Sequence, residues 1–230
     1  MTTTSFERMD RKPRRDLSTE GWGYSEWTEF DLPTEAAASA QSYEELVSGL
    51  DFILDAPKWC GMVEMIVARP ASEDRECLDK AVFSPIGGLH GDRWEIDCSR
   101  KLPDGSSDPG WQITLINSRC IQLISGRRDR WPLAGDNLVV DLDLSQQNLP
   151  VDSRLRVGSA VLQILPTPHL GCAKFSRRFG PDALAFVNSP QGRKLRLRGV
   201  YARVVEPGIA RPGSSVEKVG ARESHPNPWR

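Results

Sequence analysis

Short apolar runs rich in β-branched residues recur along the chain, and each is stopped by glycine, proline or a polar turn. Gly61 to Arg69 is nearly continuous, as in a strand buried on both faces. Lys80 to Phe83 is placed to pair with it. Trp111 to Ile116 and Leu138 to Leu144 follow, then Leu155 to Gly158 leading into Ala160 to Leu165. Leu195 to Val205 alternates, with Leu195, Leu197, Gly199, Tyr201, Arg203 and Val205 on one side. A turn and a last short run lie within 206–219, so the strands number about seven. The 19 glycines and 17 prolines supply the turns that many short strands require. The pattern predicts a mainly β fold with short helices, closed or nearly closed into a barrel, as one domain behind an N-terminal extension.

The elements between the runs set the expected boundaries. Residues 1–41 are polar, carry the basic run Arg11, Lys12, Arg14 and Arg15, and read as a mobile tail. Residues 42–57 read as a helix packing on the domain. Ser42 and Glu45 form a capping box, Pro57 is the stop, and Tyr43, Leu46, Val47, Leu50 and Leu54 share one face. The barrel domain is expected over 58–219 and a frayed terminus over 220–230. Asn117 caps a helix over Ser118 to Ser125 that Gly126 ends. Asp182 to Asn188 is a short helix after Pro181.

Formal net charge is −1 over 230 residues, which gives no global field for nucleic acid or an anionic membrane. No apolar run approaches the roughly 20 residues that span a bilayer, and no apolar signal segment follows the N-terminal charges. The five cysteines, Cys60, Cys77, Cys98, Cys120 and Cys172, are scattered, odd in number and without zinc spacing. That argues against a disulfide framework and for a reducing, cytoplasmic compartment.

One stretch carries most of the chemistry. After the strand ending at Leu165, Pro166 and Pro168 break the sheet, and His169, Cys172, Lys174, Arg177 and Arg178 follow within ten residues. Cations near a thiol stabilise its thiolate, which is both the nucleophile and the metal ligand; the alternative is a small buried hydrophobe. His169 either orients or deprotonates that thiol or is a surface histidine beside proline. Arg193, Lys194, Arg196 and Arg198 extend the basic patch. The glycine-rich segment Gly87 to Trp94 lacks a dinucleotide fingerprint. It reads as a tight turn with Asp92 and Arg93 paired locally, or as part of the same mouth. Asp136, Asp141 and Asp143 have no EF-hand spacing and read as edge acids on a strand.

The ordered set Gly88-Leu89-His90-Gly91-Asp92-Arg93, Ala134-Gly135-Asp136-Asn137-Leu138, Leu155-Arg156-Val157-Gly158, Pro168-His169-Leu170-Gly171-Cys172-Ala173-Lys174, Arg178-Phe179-Gly180 and Leu197-Arg198-Gly199-Val200-Tyr201-Ala202 resembles a MOSC domain, the C-terminal domain of molybdenum cofactor sulfurases. The resemblance covers about residues 60–219. It implies a β-barrel-like fold centred functionally on Cys172, which would bind the molybdenum–pterin cofactor as a metal ligand or carry sulfur as a persulfide. On the chemistry of the residues themselves, His169 would then be a catalytic partner, Lys174, Arg177 and Arg178 holders of the cofactor phosphate, and Asp92, Arg93 and Asn188 further contacts. Expected partners are a cysteine desulfurase or other sulfur donor and a molybdoenzyme or metal–sulfur acceptor, with no nucleic acid and no membrane. The 56 residues before the resemblance cannot hold a desulfurase domain, so pyridoxal phosphate is not expected on this chain. Alternatives within the resemblance are a non-catalytic cofactor-delivery module and a molybdenum-dependent reductase of N-hydroxylated compounds.

Overall fold

A computed structural model describes residues 40–98 and 100–220; the expected N-terminal tail and C-terminal fraying lie outside them. The strands are β1 (Cys60–Ala68), β2 (Glu76–Cys77), β3 (Ala81–Ser84), β4 (Gly88–Leu89), β5 (Ile113–Asn117), β6 (Leu138–Asp141), β7 (Arg154–Val157), β8 (Ala160–Ile164), β9 (Val200–Glu206), β10 (Gly208–Ala210) and β11 (Ser215–Lys218). Seven of them close into a barrel in the order β11-β7-β8-β9-β5-β6-β1, because β1 pairs with β6 along its middle and with β11 at its start. Closure leaves those strands no free edge. The pairings around the barrel are antiparallel except β5 with β6, where Leu115 faces Leu138 and Ile116 faces Val139.

A parallel pair cannot be joined by a hairpin and needs a crossover. Here the crossover is the helix Ser118–Ser125 followed by a 3-10 helix, Arg128–Ala134. Asn117 caps the first, accepting from the Cys120 amide at 3.0 Å, and Gly126 ends it in the left-handed region, as the sequence implies.

Among the described residues the α-helices are, in chain order, α1 (Tyr43–Ser48), α2 (Leu50–Leu54), α3 (Trp94–Asp97), α4 (Ser118–Ser125), α5 (Ala173–Phe179), α6 (Pro181–Asn188) and α7 (Pro190–Leu195). Side-chain alternation along the strands separates two cores. Val63, Leu115, Leu138, Val140, Leu162, Val200 and Ala202 fill the barrel. Ile116 and Val139 point the other way and meet Leu46, Ile121, Phe175, Phe179 and Phe186 of the helical layer. Among the described residues no helix is long and apolar enough to cross a membrane.

Three expectations are corrected. The strand at Lys80 to Phe83 pairs with β10 and β4, not with β1, whose two sides are already taken by β6, β11 and β2. The helix over 42–57 keeps its capping box but breaks at Gly49 into α1 and α2. The break turns Leu46 and Ile53 inward and leaves Tyr43, Val47 and Leu54 substantially exposed. The strand expected from Leu195 starts only at Val200, because α7 continues to Leu195 and Arg196 caps it with φ 52°.

Gly199 fixes the entry to β9. Its φ is +107°, and a Cβ there would lie 2.1 Å from the Leu115 carbonyl oxygen. Both the backbone angle and the contact exclude a side chain. Gly199→Ala should therefore lower stability by about 2–3 kcal/mol, through overpacking against backbone that cannot yield. Urea denaturation checks this, and a loss below about 0.5 kcal/mol, the range of a neutral surface change, would show that the entry can relax.

Candidate functional site

The end of the 3-10 helix and the turn from it into β6, Leu133 to Asn137, are gripped by three arginines. Arg178 from α5 donates to the Leu133 carbonyl at 2.7 Å, and Arg198 to the Ala134 carbonyl at 2.9 Å. Arg69, just past the end of β1, donates to the Gly135 carbonyl at 3.2 Å. The two side chains that follow are taken as well. The Asp136 carboxylate accepts from Arg198 at 2.6 Å, and Asn137 Oδ1 accepts from Arg69 at 3.0 Å and from the Thr114 amide and hydroxyl. Guanidinium groups suit this role because each offers several N–H donors in a rigid plane.

Asp92 completes the Arg69 half of the network. Its carboxylate accepts from Arg69 Nε at 2.7 Å and Nη2 at 3.1 Å, from Asn137 Nδ2 at 2.8 Å and from the Trp94 amide at 3.0 Å. The expected local pair of Asp92 with Arg93 is not formed. Burial drives Asp92 to the bidentate Arg69, and the more exposed Arg93 pairs with Asp97 at 3.1 Å. Asp136 is likewise no edge acid but fully buried, and Arg198 is buried against it rather than extending a surface patch.

His169 lies against this pair. Its side chain is 8 % exposed, so it is no surface histidine, and its Nδ1 is 3.6 Å from Asp136 Oδ1. That separation is too long for a hydrogen bond, and neither atom has a hydrogen-bond partner among the described residues. The imidazole stacks on Tyr201 with ring centroids 4.5 Å apart, and Tyr201 meets Trp111 at 4.6 Å. Burial, then the positive charge of Arg198 and Arg69, pushes the His169 pKa well below its ordinary value, so the ring is neutral. Burial raises the Tyr201 phenol to about 12.

The chain then leaves the interior. Asn188 holds the Gly171 backbone on both sides, accepting from its amide at 2.9 Å and donating to its carbonyl at 3.1 Å. Cys172 follows at the N-cap of α5 and is exposed. No hydrogen bond joins His169 to Cys172 among the described residues; His169 anchors the loop that presents the thiol. Lys174 and Arg178 turn toward Glu73, with Lys174 Nζ at 2.7 Å, and Arg177 is exposed. Those two cations hold the Glu73 carboxyl at about 2. A cleft of about 570 Å3 lies beside His169, lined by Leu165, Pro168, Leu170, Arg193, Arg196 and Val200 among others.

The structure therefore brings His169, Cys172, Lys174, Arg178 and Asn188 onto one loop–helix unit and locks Asp92 into the interior. Sequence reasoning missed Arg69, Glu73, Arg75 and Tyr201 as members of the site and placed Arg198 on a surface patch, where the structure buries it against Asp136.

Two measurements check this site. His169 stays neutral when folded but titrates near 6.5 when unfolded. The unfolded state then takes up a proton as pH falls through that value, so folding stability should fall from pH 7.5 to 5.5. The slope should approach at most about 1.4 kcal/mol per pH unit, and His169→Gln should flatten it. An unchanged slope in that variant would place the proton elsewhere. Iodoacetamide should label Cys172 in the native protein. Cys120, buried and with its thiol raised to about 12, should label only after denaturation; native labelling of Cys120 would contradict the buried helical layer.

Residues 104–217 match the family model described as MOSC domain. The fold is similar to that of the YUAD protein from Bacillus subtilis, at a TM-score of 0.51 and 21% identity, covering 69% of this chain and 95% of that one. The YiiM proteins from Escherichia coli (TM-score 0.45, 18% identity, 69% of each chain) and Geobacillus stearothermophilus (TM-score 0.47, 16% identity, 69% of this chain and 75% of that one) are also matched. No curated protein matches significantly. The family match over residues 104–217, which include six of the seven barrel strands, shows that this chain carries a MOSC domain.

Proposed function

We propose that this protein holds a molybdenum–pterin cofactor, with the Cys172 thiolate as the protein's ligand to the metal. The observation that carries this reading is the exposed thiol at the head of a helix whose next turns bear Lys174, Arg177 and Arg178, within a MOSC domain. The residues fit such a group. Soft thiolate suits the metal, and the adjacent cations suit a phosphate. Among the described residues no three His, Cys, Asp or Glu side chains converge to hold a metal ion. The remaining ligands would therefore arrive with the cofactor. When bound, the cofactor supplies a redox-active metal.

The chain's own part is to present and position. His169, wedged between Tyr201 and the Asp136–Arg198 pair, fixes the loop, and Asn188 fixes the backbone directly before the thiol. Its lowered pKa makes the imidazole a weak base and no hydrogen bond joins it to Cys172 among the described residues, so positioning is the role that suits it. The exposure of Cys172 also favours a second reading, sulfur transfer. The thiolate attacks the outer sulfur of a donor persulfide, the donor's S–S bond breaks, a new S–S bond forms on Cys172, and the donor leaves as a thiolate.

Production of the full chain in cells that make the cofactor, followed by metal and pterin analysis by mass spectrometry, tests both readings. Wild type should carry molybdenum and pterin, Cys172→Ser should lose at least ten-fold, and Cys77→Ser should keep both. Equal retention by Cys172→Ser would refute ligation by this thiol. A one-sulfur increment on Cys172 without molybdenum would favour the carrier.

A further inference from the structure

The loop between β1 and β2 contains a carboxylate and a guanidinium that the sequence did not single out. Glu73 has φ +65°, a conformation that non-glycine residues adopt at a cost and that marks functional segments. From there its carboxylate reaches two cations of α5, Lys174 Nζ and Arg178 Nη2, across more than a hundred residues of sequence. Its side chain is 54 % exposed.

Two residues on, Arg75 donates from Nη1 to the Asp74 carbonyl. Its guanidinium lies against the arginine-gripped turn, since a Cβ on Gly135 would be 3.2 Å from Arg75 Nη2. Arg75 Nε is buried and has no hydrogen-bond partner among the described residues. Arg69 and Arg93 pair with Asp92 and Asp97, while Lys174 and Arg178 share Glu73. Among the described residues Arg75 forms no ion pair. Burial, and then the like charge of Arg178, Arg69 and Arg93, pushes its pKa down. A half-buried cation with an unused donor, next to two cations sharing one carboxylate, is a place where more negative charge would be stabilised.

We propose that Arg75 is the anchor of a site for a phosphate monoester, and that Glu73 is its built-in competitor, displaced from Lys174 and Arg178 when the phosphate enters. This deepens the cofactor reading and rests on it for the identity of the phosphate's bearer. A phosphate monoester carries about −1.5 to −2 charges and three terminal oxygens, against one charge and two oxygens for a carboxylate. It can engage Lys174, Arg178 and Arg75 Nε together, where Glu73 leaves Arg75 Nε without a partner. Glu73 and Lys174 are each about half exposed, so breaking their pair costs little; Arg178, more buried, keeps its bond to the Leu133 carbonyl, and Glu73 sits on a loop from which its side chain can turn to water.

The test is titration of the full chain with inorganic phosphate, followed through the Arg75 Nε–Hε resonance by NMR. Wild type should show saturable binding with a shift at Arg75. Glu73→Gln should bind phosphate about 3- to 10-fold more tightly, the effect of removing a surface ion pair. Arg75→Gln should weaken binding at least ten-fold, and Arg75→Lys, which keeps charge but lacks the Nε donor, should fall between if the Gln variant does not fold. Unchanged or weaker binding in Glu73→Gln overturns the competitor role, and unchanged binding in Arg75→Gln overturns the anchor. If cofactor-loaded protein no longer responds to phosphate, the site takes the cofactor's own phosphate; an unchanged response assigns it to a free phosphate. A phosphate response in a protein that retains no molybdenum would uphold this site and remove the cofactor reading.

Discussion

Three arginines on one turn organise this molecule. Arg69, Arg178 and Arg198 arrive from three different parts of the chain and bond successive carbonyls of Leu133, Ala134 and Gly135. Arg198 also takes the fully buried Asp136. Breaking such a pair from one side would leave an uncompensated buried charge, at a cost of about 3–5 kcal/mol. The turn therefore adopts one position, and each element that sends an arginine to it is held to that position.

The demand for the turn comes from the barrel. Joining the parallel strands β5 and β6 requires a crossover, which ends in the 3-10 helix Arg128–Ala134 and returns to the sheet through Gly135 to Asn137. The return places backbone carbonyls and an acid at the rim of the sheet, where burial leaves them dependent on donors from neighbouring elements. The arginines answer that need and carry function with them. Arg198 leads into Gly199 and β9, whose Tyr201 supports His169; Arg178 belongs to the helix that Cys172 caps. Fold and site are thus joined through hydrogen bonds rather than through a shared cavity.

The strands were legible because alternation and β-branched composition are local, and so were the caps at Ser42 and Asn117 and the left-handed stop at Gly126. The exposed position of the Cys172 loop followed from two prolines ending a strand. Partnerships were not legible. Adjacency in sequence suggests a partnership of Asp92 with Arg93, yet Asp92 pairs with Arg69, 23 residues away. Arg198 follows three other basic residues in sequence, which suggests surface charge, yet the fold buries it against Asp136. Glu73 and Arg75 sit in a polar loop with no local pattern, and their significance arises from α5, about a hundred residues later. Long-range pairing of charged groups depends on topology, which one-dimensional periodicity does not encode.

Coupling of the turn to the thiol loop is the central claim, and hydrogen–deuterium exchange on Arg198→Met tests it most directly. Removal of that guanidinium should speed exchange at residues 133–137 and also at 168–174, under conditions where the barrel strands stay protected. Arg119→Met, which breaks the separate Arg119–Asp141 pair, should leave 168–174 unchanged. Faster exchange confined to 133–137, or an equal response of 168–174 in both variants, would contradict the coupling.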